Sequence, residues 1–189
     1  MANDRPRLSE ADLIESFASR IARQSYGSPA AIEGVRLDEP KVHRSTDGTF
    51  AELLRIADDG SGQGVPGFRP RQWSWSLMEP GAVKAWHLHL AQDDLWIIPP
   101  DSQLLVGLVD LRRNSTTAQA QMRLTLGAGK CHRVLIPAGV AHGVANLSRE
   151  PRVVIYAASQ HFSSDPRESD EWRLPADAFG ADFWQMDRE

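Results

Sequence analysis

The sequence predicts an all-β sandwich or barrel preceded by an N-terminal helical arm. Two observations point there. From Ile32 onward, short apolar or alternating runs are separated by Gly, Pro, Asp and Asn, the punctuation of a many-stranded β domain. Ahead of them, apolar residues recur at helical spacing. The length of 189 residues suits one domain with an added arm. The expected division is a helical arm over 1–31, a β-barrel over 32–160 and a tail over 161–189 packed on the barrel.

The helix is expected over residues 9–24. Ser9 can cap it with Asp12 three residues on, Leu13, Ile14, Phe17, Ala18 and Ile21 share one face, and Gly27-Ser28-Pro29 ends it. Strands are expected over 51–56, 72–78, 83–90, 95–98, 103–109, 119–126, 133–136 and 152–158, and His142 should begin another short one. In 72–78 the alternation is clean. Trp73, Trp75 and Leu77 take one face, and Gln72, Ser74 and Ser76 take the other, which lines a cavity or faces solvent. Residues 58–71 hold too many Gly and Pro for a strand or helix and read as a loop, either a binding lid or simply mobile. Trp172, Phe179, Phe183 and Trp184 would tie the tail down.

Composition narrows the setting. A hydrophobic content of 41% and a charged content of 24% are ordinary for a folded protein. A net charge of -4, mixed in sign, gives no electrostatic case for nucleic acid or an anionic membrane. Cys131 is the single cysteine, no apolar stretch follows the N-terminus as in a secretory signal, and no run approaches the roughly 20 residues that span a bilayer. A cytoplasmic setting is expected.

Two stretches carry the candidate chemistry: Gly81-Ala-Val-Lys-Ala-Trp-His87-Leu-His89-Leu-Ala-Gln-Asp93-Asp94 and Pro137-Ala-Gly139-Val-Ala-His142-Gly-Val-Ala-Asn146. His87 and His89, two apart in a strand, point to one face. Three imidazoles and a carboxylate can hold a divalent metal, or the imidazoles alone can move protons on and off carbon. Asn146 suits a structural hydrogen bond. Asp93 and Asp94 are either a ligand pair or solvated turn carboxylates. The paired pattern G-x5-H-x-H-x4-(E/D) with P-x-G-x2-H-x3-N resembles the cupin signature. That resemblance implies a double-stranded β-helix, or jelly-roll barrel, with the strand of His142 beside that of His87.

A more specific resemblance covers roughly residues 32–184. Ile32-Glu-Gly-Val-Arg-Leu-Asp-Glu-Pro-Lys-Val, Thr46-Asp47-Gly48-Thr49-Phe50-Ala51-Glu52, Gln72-Trp73-Ser74-Trp75-Ser76, Lys84-Ala85-Trp86-His87-Leu88-His89, Asp110-Leu111-Arg112 through Thr117, Ile136-Pro137-Ala138-Gly139-Val140-Ala141-His142-Gly143-Val144 and Tyr156 follow one another. In that order they resemble the dTDP-4-dehydrorhamnose 3,5-epimerase family. The resemblance implies an enzyme without cofactor that acts on a nucleotide-linked 4-keto-deoxysugar, with His87 as base, Tyr156 as acid and His142 near the keto oxygen. It further implies Lys84, Gln72, Arg69 and Arg71 as substrate-binding residues, and a homodimer.

Departures from the family pattern are specific. No lysine lies between Lys84 and Lys130, Asp47 replaces an arginine, and His89 replaces a glutamine. The element S-x-K-D that carries an orienting aspartate has no counterpart; Asp177 and Asp182 are the nearest substitutes. These changes favour an alternative, a metal-dependent cupin (oxygenase, isomerase or lyase) with His87, His89, Asp94 and His142 holding Fe, Mn, Ni, Zn or Co. A second alternative is a barrel that binds a small molecule without turning it over.

Overall fold

The computed structural model describes residues 8–23 and 30–186. Twelve strands are seen there: β1 (Arg36–Asp38), β2 (Val42–Ser45), β3 (Gly48–Ala51), β4 (Gln72–Met78), β5 (Val83–Leu88), β6 (Asp94–Ile98), β7 (Gln103–Asp110), β8 (Gln121–Gly127), β9 (His132–Ile136), β10 (Val140–Ala145), β11 (Arg152–Ala158) and β12 (Trp172–Arg173). Two five-stranded sheets form the barrel, in the orders β1-β9-β6-β11-β4 and β12-β5-β10-β7-β8, while β2 and β3 pair separately. Every strand pair is antiparallel. The all-β jelly-roll expectation holds.

Burial explains why some strands read as unbroken apolar runs. Along β7, Leu104, Val106 and Leu108 join the core between the sheets with Trp96, Ile98, Ile136, Val140, Val144 and Val154. Leu105 and Val109, on the other face, pack with Trp86, Ala141, Phe183 and Trp184. The C-terminal segment therefore covers the outer face of the second sheet. Gly107 makes room for it: a Cβ there would lie 2.4 Å from Phe183 and 2.6 Å from Trp184. The first sheet is covered by the turn-rich loop, whose Val65 and Phe68 pack on Leu95, Leu135 and Ala157. That loop is thus an outer cladding and not a lid over the barrel mouth.

Two expected elements differ. In place of a helix over 9–24 there is a 3-10 turn (Glu10–Asp12) and one α-helical turn, α1 (Glu15–Ala18); residue 24 lies outside the described residues. Ile14, Phe17 and Ile21 stay exposed, so nothing among the described residues buries the apolar stripe, and a short helix without tertiary packing is marginal. The strand expected over 51–56 ends at Ala51; only Ile56 bridges, to Gly62. The strand of His142 proves to run from Val140, and β1, β2 and β12 were too short to show a period. No helix among the described residues is long and apolar enough to cross a membrane.

Candidate active site

One end of the barrel interior is a cavity of about 500 Å³ between the two sheets. Its depth is set by strand phase. Apolar residues fill one end of the sandwich, and polar ones at the same inward positions open the other. On β10, Val140, His142 and Val144 face inward while Ala141 and Ala145 face the tail. His142 pairs in register with His87 on β5. Beyond this pair the register shifts, so Val144 opposes Lys84. Lys84 and His87 are three residues apart and would point to opposite faces of a regular strand. The extra residue brings both to the cavity. Gly143 permits the close approach, since a Cβ there would meet that of Ala85 at 2.6 Å.

His87 has a carboxylate on one nitrogen and a guanidinium on the other. Its Nδ1 lies 2.7 Å from Glu171 Oε1, and Arg173 Nη1 lies 3.0 Å from its Nε2. Arginine only donates, so Nε2 accepts and Nδ1 carries the proton that is given to Glu171. His87 is therefore a neutral imidazole with its lone pair on the cavity side. Burial pushes its pKa down, and the hydrogen bond to Glu171 opposes but does not overcome this. Glu171 is held below the usual carboxylate range, first by the hydrogen bond from His87.

Glu171 reaches His87 because the tail is anchored on both sides. β12 pairs with β5, setting Arg173 opposite His87. The carboxylate of Asp170 accepts the backbone N–H groups of Leu90, Ala91 and Gln92 at 2.8–3.1 Å. Glu171, Arg173 and Asp170 were missed by sequence reasoning, and neither Asp177 nor Asp182 lines the cavity. The available signal was a cluster, Ser169-Asp170-Glu171-Trp172-Arg173, of charges next to an aromatic in a turn-rich tail.

The other expected residues separate cleanly. Tyr156 on β11 lines the cavity from the sheet facing His87, with Gln72 and Ser76 from β4. Gln72 also accepts the N–H of Phe162 at 2.9 Å. Lys84, at the exposed rim, donates to Ser76 Oγ at 2.5 Å. His89, Asp94 and His142 are buried, with Asp94 Oδ2 3.5 Å from His142 Nε2 and 3.7 Å from His89 Nε2. Burial raises the Asp94 pKa, but His142, His89 and Gln92 together bring it below the ordinary value. His87 stands apart from this trio, which corrects the expected four-ligand set: its Nε2 faces the Arg173 guanidinium at 3.0 Å and not the trio. Asp93 is structural, accepting the Ala138 N–H at 2.9 Å. Asn146 is structural too, donating to the carbonyls of Met78 and Glu150.

Arg69 and Arg71 are corrected. Both lie on the cladding loop, away from the cavity; Arg69 is 3.4 Å from Asp59, and the Arg71 backbone N–H pairs with Ala158. Arg173 is the arginine that reaches the cavity. The Asp110–Arg112 motif is likewise structural. The buried Asp110 carboxylate accepts from Arg112, Ser115 and Thr117, with Arg112 as the first cause of its strongly lowered pKa. Arg112 in turn packs under Gly139, whose φ of +82° makes the turn before His142.

Known proteins match this chain in sequence and in fold. It is 38% identical over 146 residues to the spore coat polysaccharide biosynthesis protein SpsL of Bacillus subtilis, covering 77% of this chain and 91% of SpsL. It is 30% identical over 109 residues to the probable low-salt glycan biosynthesis epimerase Agl13 of Haloferax volcanii, covering 57% of this chain and 68% of Agl13. A dTDP sugar isomerase from Desulfovibrio desulfuricans superposes with a TM-score of 0.67 at 24% identity, over 85% of this chain and 94% of that one. ChmJ, a 3'-monoepimerase from Streptomyces bikiniensis solved with dTDP-quinovose, gives 0.65 at 20% identity, over 79% and 73%. These two likenesses show a shared fold. The dTDP-4-dehydrorhamnose 3,5-epimerase family matches residues 29–180, and the chain belongs to that family.

Proposed function

We propose that the chain inverts a carbon next to the C4 carbonyl of a nucleotide-linked keto-deoxysugar. The observation that carries this reading is the His87–Glu171 pair with its lone pair turned into the cavity, across from Tyr156. A C–H beside a carbonyl is acidic because the charge left behind moves onto oxygen. His87 Nε2 takes that proton, and Glu171 stabilises the imidazolium that forms. Tyr156, on the facing sheet, returns a proton to the other face, so the centre inverts. His142 stands near the keto oxygen. The transfer itself calls on no cofactor, in keeping with the family.

Binding follows from the rim. Lys84 and Arg173 are the cationic side chains that line the cavity, and they suit a diphosphate. In the free protein Arg173 covers the base, so it must leave Nε2 before a C–H can approach. A homodimer fits the outer face of β4, an edge strand on which Trp73, Trp75 and Leu77 are 46%, 66% and 43% exposed. The test is incubation with a dTDP-4-keto-6-deoxysugar in deuterium oxide. Deuterium should enter next to the carbonyl. Tight binding with no exchange would instead make the protein a sugar-nucleotide binder.

A further inference from the structure

Arg173 has two tasks that one guanidinium cannot perform together. In the free protein its Nη1 lies 3.0 Å from His87 Nε2. Its Nη2 lies 2.9 Å from Glu171 Oε1, the oxygen that also receives the His87 Nδ1 proton. The arginine thus bridges both ends of the His87–Glu171 pair and caps the lone pair that must meet a C–H. With Lys84 it is also a cationic side chain of the cavity wall, where a diphosphate would bind.

The backbone of Arg173 is held firmly and its guanidinium is not. Pairing of β12 with β5 fixes residue 173 opposite His87. The side chain is 57% exposed, and an ion pair that exposed holds its partners weakly. An imidazole lone pair is moreover a neutral acceptor. Phosphate oxygens are charged, match the guanidinium fork in bidentate geometry and make hydrogen bonds roughly twice as strong. A diphosphate at the rim is therefore the better partner for Arg173. Lys84 differs, since it donates to Ser76 and leaves the base untouched.

We propose that Arg173 is a specificity gate. It masks His87 in the free protein and is drawn off by the diphosphate of the substrate, so the charge that binds a nucleotide sugar also exposes the base. A keto-sugar without phosphate enters the cavity and meets a capped nitrogen. Selectivity for diphosphate-linked sugars then acts on kcat as well as on KM. The use of the gate in turnover rests on the proton-transfer reading; the masking of His87 does not.

Masking is read without turnover, from the rate at which diethyl pyrocarbonate acylates His87 in the full chain, located by peptide mass. Inorganic pyrophosphate should raise the parent rate about 10-fold, the weak end of what one charged hydrogen bond supplies. Arg173→Met should react at the raised rate, with no further gain from pyrophosphate. Gating is read as deuterium entering a 4-keto-6-deoxyhexose that carries no phosphate. Pyrophosphate should speed this exchange in the parent chain by a similar factor. Arg173→Met should exchange the same sugar at the faster rate unaided, while its kcat/KM for the dTDP-linked sugar falls. An arginine that only binds phosphate would lower the second rate without raising the first, and that result overturns the proposal. So does equal labelling of His87 in the parent chain and Arg173→Met, or activation by pyrophosphate that survives in Arg173→Met. The expected labelling without exchange of the dTDP-linked sugar leaves the mask standing and removes the proton-transfer reading; exchange with equal labelling does the reverse.

Discussion

Replacing Glu171 by Gln removes one charge and leaves the shape of the site. The 2.7 Å contact to His87 Nδ1 is a charge-assisted hydrogen bond between side chains that are 22% and 29% exposed. Such bonds contribute about 1.5–3 kcal/mol. The imidazolium that forms as the C–H breaks loses that support, and at about 1.36 kcal/mol per tenfold this is roughly a 10- to 150-fold drop in kcat. The pH profile should move as well. Glu171 raises the His87 pKa against the lowering by burial, so its removal shifts the acid limb of kcat/KM further below the usual histidine value of about 6.5. The assay is the initial rate of deuterium incorporation across pH, with KM measured separately. An unchanged kcat, or an acid limb that moves up, would refute the pairing of Glu171 with the base.

Other outcomes follow from the same geometry. Tyr156→Phe should retain exchange at the face of the base but lose inversion by about 100-fold or more, as comparison of label uptake with product stereochemistry would show. Gly107→Ala, pressed against Phe183 and Trp184, should destabilise by about 1–3 kcal/mol in denaturant melts and loosen the tail that carries Glu171. Asp110→Asn should cost about 1.5–3 kcal/mol by removing the charge that pairs with Arg112, with little effect on KM. In linkage terms Asp110 and Glu171 have depressed folded-state pKa values, so their stabilisation is full above the unfolded carboxylate range and is lost as pH falls from there through the lower folded values. His87 adds in the same direction, because its lowered pKa lets the unfolded chain take its proton first below about 6.5. If the proposed homodimer forms through β4, the parent chain should sediment as a dimer and Trp75→Glu as a monomer, with the cavity undisturbed because Trp75 does not form its walls.

The barrel was legible because its central strands are buried on both faces and its turns are rich in Gly, Pro and Asp. β4 and β11 were read to the residue. His87, His89, Asp94, His142 and Tyr156 were also legible, since two short motifs and a strand tyrosine place them locally. What escaped depends on distance in sequence. Glu171 lies 84 residues from His87, and its position comes from Asp170 seizing three backbone N–H groups of another loop. Nothing local marks that contact. Arg69 and Arg71 misled because a Gly-rich loop beside a polar strand reads as a lid, whereas Val65 and Phe68 bind it to the outer face. The arm misled in a different way: its apolar stripe is genuine, but the described chain offers it no surface.

The central claim is that His87 is the base. Its most direct test is solvent deuterium entering a dTDP-4-keto-6-deoxysugar next to the carbonyl, measured for the parent chain and for His87→Asn. Exchange by the parent and none above background by the variant is the expected result. Exchange at the parental rate in His87→Asn would contradict the account.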